Sequence, residues 1–235
     1  TILPAGATLN TGGQILSRIV TQAGSIIELQ TDLTLGDASS LTGINFDGEV
    51  YIYDNLLTLN DANDAVLGTL TVLGNGLADQ GYLAASNGIT LPFGHNIAGY
   101  GTVTTPDDPF TPLINNGAIV GGSLSEPIPL TGYIKGAGTL DNVVITGTDA
   151  PGFSPATVYR GSVAYAGSLE IELGGTSPGS FDRIIHAGLA QLGGDLDVLL
   201  INGFSPTAGD NFDVLDWSSI SGAFASINLP ALPGG

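Results

Sequence analysis

The sequence predicts an all-β chain wound as a β-solenoid, right-handed β-helix-like, ending in a C-terminal β-rich block. A β-sandwich of the same strand content is the competing arrangement. Three observations predict it. Between residues 167 and 233 five short apolar runs follow one another, 168–173, 181–187, 191–201, 211–217 and 223–229, each closed by Gly, Pro, Asp or Ser. Within most of them apolar and polar residues alternate, as Leu169, Ile171 and Leu173 do against Ser168, Glu170 and Glu172. Such alternation puts one set of side chains on a buried face. Finally, a loose unit recurs, Gly99-Tyr-Gly-Thr-Val103 and Gly136-Ala-Gly-Thr-Leu140, with a shorter echo at Gly68-Thr-Leu70. Its spacing suits one or two solenoid rungs of roughly 20 residues. A single rung cannot bury its apolar side alone; stacked rungs share one core.

Residues 1–60 read as short strands. Their apolar pulses recur every six to ten residues, too close for helices with connections and suited to strands of about five residues joined by tight turns. The best helical stretch, 17–30, is interrupted by Gly24. Residues 61–116 continue the strand-like pulses with Asn-Gly and Gly-Tyr-Gly punctuation, and 104–116 holds three prolines, an exposed loop between sub-blocks. The expected division is an N-terminal solenoid-like region, 1–131, and a C-terminal β-rich block, 132–235, continuous with it.

Composition narrows the function classes. The 36 glycines are about twice the usual share, yet charged residues are only 11% and mean hydropathy is +0.32, so this is not a disordered chain. Net charge is -18, with Arg18, Lys135, Arg160 and Arg183 the basic residues, which argues against nucleic acid as a partner. There is no Cys and no Met; Thr1 then reads as a processed terminus left by removal of a signal peptide. No apolar run is long enough to span a membrane.

From about residue 132 the wording (GYIKGAGTLDNVVITG, PGFSP, LGGDLDVLLING, GDNFDVLD, SGAFASINLP) resembles the ectodomains of bacterial exosortase-sorted (PEP-CTERM-type) secreted proteins, similar in style to autotransporter β-helix passengers. The resemblance covers 132–235 well and 1–131 only in texture. It implies export and a place in biofilm, floc or envelope material, and brings no catalytic residues. Family members continue past the Leu-Pro with another strand and a sorting tail, both absent from this sequence.

Candidate sites are sparse. His95 and His186 lie far apart, with no Cys/His cluster for zinc or redox chemistry. His186 reads as a packing or surface residue, Asp182 as a turn residue and Arg183 as a solvated one. No serine sits in a Gly-X-Ser-X-Gly elbow. Asp61, Asn63 and Asp64 form an oxygen-rich loop and are the candidate Ca²⁺ ligands, although the loop lacks the Gly and closing Glu of an EF-hand; an Asx turn is the alternative. Asp107, Asp108, Asp195 and Asp197 are weaker candidates. Tyr51 and Tyr53, on alternate positions, are a candidate sugar-stacking pair or one exposed strand face.

The function these features favour is a secreted, non-enzymatic structural protein that self-assembles into an extracellular filament, biofilm or cell-surface matrix. An unfilled rung presents unpaired N–H and C=O groups to another subunit, and Thr1, Ile2, Leu3 and Leu9 of the N-terminal segment are the candidate assembly residues. The partners expected are further copies of the chain and extracellular polysaccharide. A carbohydrate-binding adhesin is the alternative. A polysaccharide-degrading β-helix enzyme ranks last, because it needs a basic residue beside paired acids and only four Lys and Arg are present.

Overall fold

The computed structural model describes residues 2–17, 19–37 and 43–231. Every regular element in them is a β-strand, none is a helix, and every ladder between strands is parallel. Successive strands do not pair with each other as in a hairpin. Each pairs with the strand one turn away, which is the stacking of a β-solenoid and not of a sandwich. Among the described residues no helix is long and apolar enough to cross a membrane.

One wall is an eleven-stranded sheet taking a single strand from each turn, from Ile2–Leu3 through Ile89–Leu91, Tyr133–Gly136, Thr148–Pro151 and Ser168–Leu173 to Ser226–Asn228. The other sheet has sixteen strands and covers two walls. They are joined by two ten-residue strands that run round the corner, Ile26–Leu35 and Arg183–Leu192. The first half of Ile26–Leu35 pairs with Glu49–Tyr51 and its second half with Leu56–Leu59; Arg183–Leu192 divides itself between Thr157–Arg160 and Val163–Tyr165 in the same way. Gly24, the residue that interrupts the most helix-like stretch of the sequence, lies at φ 78° and supplies the left-handed turn between Ile19–Thr21 and Ile26–Leu35.

The core consists of columns, one inward side chain per turn. On the second wall Ile27, Val50, Thr71, Ile97, Ile119 and Leu140 stack in register. On the third, Leu33, Leu57, Leu83, Val103, Leu130, Ile145 and Tyr165 do so. The first wall contributes Ala65, Ile89, Leu113, Ile134, Asp149, Leu169, Leu196 and Ile227. Apart from Thr71, Asp149, Leu196 and Ile227, every member of these columns is a buried hydrophobic. Each buried Val, Leu or Ile contributes about 1.5–3 kcal/mol, so the columns hold the turns together. The ladder steps from residue 113 to 134 and from 130 to 145 without interruption, so strands on either side of residue 132 stack directly on one another.

Corners are sharp, and glycines stack on one another there. Gly132, Gly147, Gly167 and Gly194 follow one another along one edge, and a Cβ on any of the last three would strike the carbonyl oxygen of the glycine one turn below. The apolar run 191–201 is divided by this corner: Gly194, at φ 45°, separates the strand ending at Leu192 from Asp195–Leu200.

Candidate functional site

The residues singled out in the sequence fall at separate places along the stack. Asp61 is buried, and its Oδ1 accepts the Asn63 N–H at 3.2 Å, closing an Asx turn. Asp61 O accepts from Asn87 Nδ2 one turn on. Asn63 and Asp64 are exposed, and Asp64 Oδ2 accepts from Thr90 Oγ1 at 2.6 Å. Among the described residues no three side chains of His, Cys, Asp or Glu converge where a metal ion would sit. Asp108 Oδ1 likewise caps its own turn, accepting the Phe110 N–H at 2.9 Å.

Tyr51 and Tyr53 are not alternate residues of one strand. Tyr53 lies beyond the strand end, at a corner with φ 53°, and its ring packs against that of Tyr51 at 5.8 Å between centroids. Tyr51 donates to Glu49 Oε2 at 2.6 Å, and this bond, with burial, pushes its pKa up to about 12. Asp195 and Asp197 share the outer face of the first wall, as alternation requires, and are tied to the next turn by Ser226 Oγ and Asn228 Nδ2, each at 2.6 Å.

Asp182 and Arg183 part company. Arg183 is half-exposed and pairs with Asp213, at 2.9 Å, and with Asp216; bridges of this kind contribute under about 1 kcal/mol. Asp182 is buried, not a surface turn residue. Its two oxygens accept the N–H of Ala156 and of Glu172, each at 2.8 Å. Burial pushes its pKa up to about 7 despite those two bonds. A folded pKa above the ordinary 3.8 means that the folded chain holds this proton more tightly than the unfolded chain. The Asp182 contribution to stability is therefore complete below about pH 4 and is lost as the pH rises to about 7. Carboxyl NMR should place the Asp182 midpoint near neutrality, and Asp182→Asn should remove that phase from the stability profile. A midpoint below 4 would show that the two N–H bonds outweigh burial.

The lumen holds a polar plug that alternation alone did not suggest. Asp149 occupies an aliphatic column of the first wall, Arg160 and His186 stack on the second, and Tyr165 ends the third; all four are buried. Arg160 Nη2 meets Asp149 Oδ1 at 3.3 Å, and Nη1 donates to Gly138 O. Tyr165 OH lies 3.1 Å from His186 Nε2, whose other ring nitrogen lies 3.2 Å from Gly161 O. A neutral imidazole satisfies both contacts, with Nδ1–H donating to the carbonyl and Nε2 accepting from the phenol. Burial correspondingly lowers the His186 pKa, and it raises that of Asp149 against the pull of Arg160. Enclosed in this way, the four groups serve packing and register.

Two accessible surfaces stand out among the described residues. At the ends of the stack the inward columns run out into the open. Leu3, Leu9 and Ile15 lie half-buried at one end; Ile227, Trp217 and Ile220 lie at the other, 59%, 47% and 40% exposed. Among the candidate assembly residues Leu3 and Leu9 thus lie half-buried in the end turn, Ile2 is 69% exposed, and Thr1 falls outside the described residues. The second surface is a cleft on the outside of the first wall, lined by Tyr133, Lys135, Phe153, Glu170 and Glu172 with Asp182 beneath. Those residues come from three turns, so the sequence separates what the ladder brings together.

Neither family models, curated proteins nor solved structures match this chain.

Proposed function

We propose that the chain is a non-enzymatic structural subunit that stacks head to tail on further copies of itself, building an extracellular filament or cell-surface matrix. One observation carries the reading: the two ends are complementary. Each end offers one short strand on the first wall, Ile2–Leu3 or Ser226–Asn228, and one eight-residue strand across the other two, Thr8–Ile15 or Leu215–Gly222. Both eight-residue strands shift register midway against their inner neighbour. Among the described residues the outer edges of these strands have no ladder partner. All strands run parallel, so a second copy set on the open end continues both sheets and all three sets of columns. Such a contact is heterologous and propagates, and it satisfies edge N–H and C=O groups that a lone molecule leaves to water. Export and a place in biofilm or envelope material are supported by the family resemblance of residues 132–235 and by the acidic, glycine-rich composition.

Electron microscopy of the protein at micromolar concentration tests this directly. Regular filaments are expected, and they should lengthen with ionic strength, because a net charge of -18 per subunit opposes stacking until salt screens it. Ile220→Lys places a charge on the open end of a column, where the native side chain is 40% exposed; it should abolish filaments and leave thermal unfolding of the subunit in place. Filaments undiminished in this variant, or monodisperse particles at every salt concentration, would overturn the reading. Filaments that dissolve in a chelator would bring the Asp61–Asn63–Asp64 loop back as a Ca²⁺ site; filaments that persist in it would remove calcium from the assembly.

A further inference from the structure

The cleft on the first wall lies on the flank of the stack, away from both ends, and stays open whether or not subunits assemble. Tyr133 and Lys135 come from one strand, Glu170 and Glu172 from the strand two turns on, and Phe153 from the turn at Gly152 between them. Lys135 Nζ lies 5.3 Å from the centre of the Tyr133 ring, and Glu170 lines the same cleft. Asp182 accepts from Glu172 N on one side and Ala156 N on the other, tying the acidic strand to the turn that bears Phe153. The cleft is therefore set before any ligand arrives. Phe153 is 64% exposed, a large apolar ring lying beside carboxylates.

We propose that this cleft binds a cationic amino-sugar polysaccharide lying across the strands. Spacing, surface chemistry and charge each favour that ligand class. Outward side chains form rows that cross the wall, Lys135 and Ala150 in neighbouring strands and then Glu170, Asp197 and Asn228 in strands further on. Adjacent strands lie about 4.8 Å apart, close to the length of a pyranose unit, so a chain crossing the wall meets one side chain per sugar. An aromatic face beside hydroxyl-accepting carboxylates suits a sugar ring, and the same pair attracts an ammonium group. Carboxylates outnumber Lys135 in the cleft, on a chain of net charge -18; that field repels polyuronates and concentrates amines.

Isothermal titration calorimetry with a glucosamine hexamer, an N-acetylglucosamine hexamer, an oligogalacturonate and an oligolysine peptide tests the proposal. The amino-sugar hexamer should bind, its acetylated counterpart should bind about tenfold more weakly, and the uronate should give no heat. Phe153→Ala and Glu170→Gln should each weaken binding about tenfold, whereas Glu28→Gln on the second wall should leave it unchanged. Circular dichroism confirms that each variant is folded, and the exposure of Phe153 makes that variant safe for the fold. Absence of binding, equal affinity in the cleft variants, an acetylated hexamer as tight as the free amine, or oligolysine bound as tightly as the sugar would each overturn it. Because the readout is on the flank, these results stand apart from whether filaments form.

Discussion

Arg160→Met is expected to lower stability by about 3–5 kcal/mol, the cost of breaking a buried ion pair by removing one partner. Arg160 and Asp149 have side chains 1% and 0% exposed, and the variant leaves the Asp149 carboxylate in an aliphatic column with no cation. Even in the native chain Asp149 Oδ2 and Arg160 Nε have no hydrogen-bond partner, so there is no reserve of contacts to absorb the loss. The paired replacement Asp149→Leu with Arg160→Met should recover most of the stability, since well-packed apolar groups commonly match or exceed a buried pair. Urea unfolding followed by circular dichroism measures both. A single variant within about 1 kcal/mol of the native chain would mean that Asp149 takes up a proton at little cost once Arg160 is gone.

Gly147→Ala is the other large effect. The added methyl would meet Gly132 O and N, backbone atoms that cannot rotate away, so the cost should fall at the upper end of the roughly 1–3 kcal/mol typical of overpacking. The damage should be local at first, because each turn touches only its neighbours; proteolysis should open the chain around residues 132–167 before the rest. Gly76→Ala, where a Cβ meets nothing within 4 Å, is the matched control and should change stability little. Equal midpoints for the two variants would show that the corner stack is looser than its geometry implies.

How much of this was legible beforehand differs from residue to residue. The alternation of Leu169, Ile171 and Leu173 reads out directly as the buried set of Ser168–Leu173, because a period of two is a property of the strand alone. The strand starting at Leu215 was less legible: residues 211–214 share its apolar character but lie in the loop beneath, where Phe212 packs edge-on against Phe181 and Phe204. Asp149 could not be read as buried, since its surroundings are Ile134, Leu169 and Arg160, each contributed by a different strand. The cleft was hidden for the same reason. Lys135, one of only four basic residues, is carried by the stacking of turns to the cleft that Glu170 and Glu172 line. Predicting such neighbours requires the length of each turn, and that length is not constant.

The variation itself has a consequence. Along the first wall the step between paired residues is as short as Tyr133 to Thr148 and as long as Asp195 to Ser226, with no break in the ladder. Wall residues hold the register, and the corners hold whatever length is left over. A peptide grafted at a corner such as 176–179 would be displayed without disturbing the walls, so the stack can gain or lose sequence during descent while keeping its cross-section.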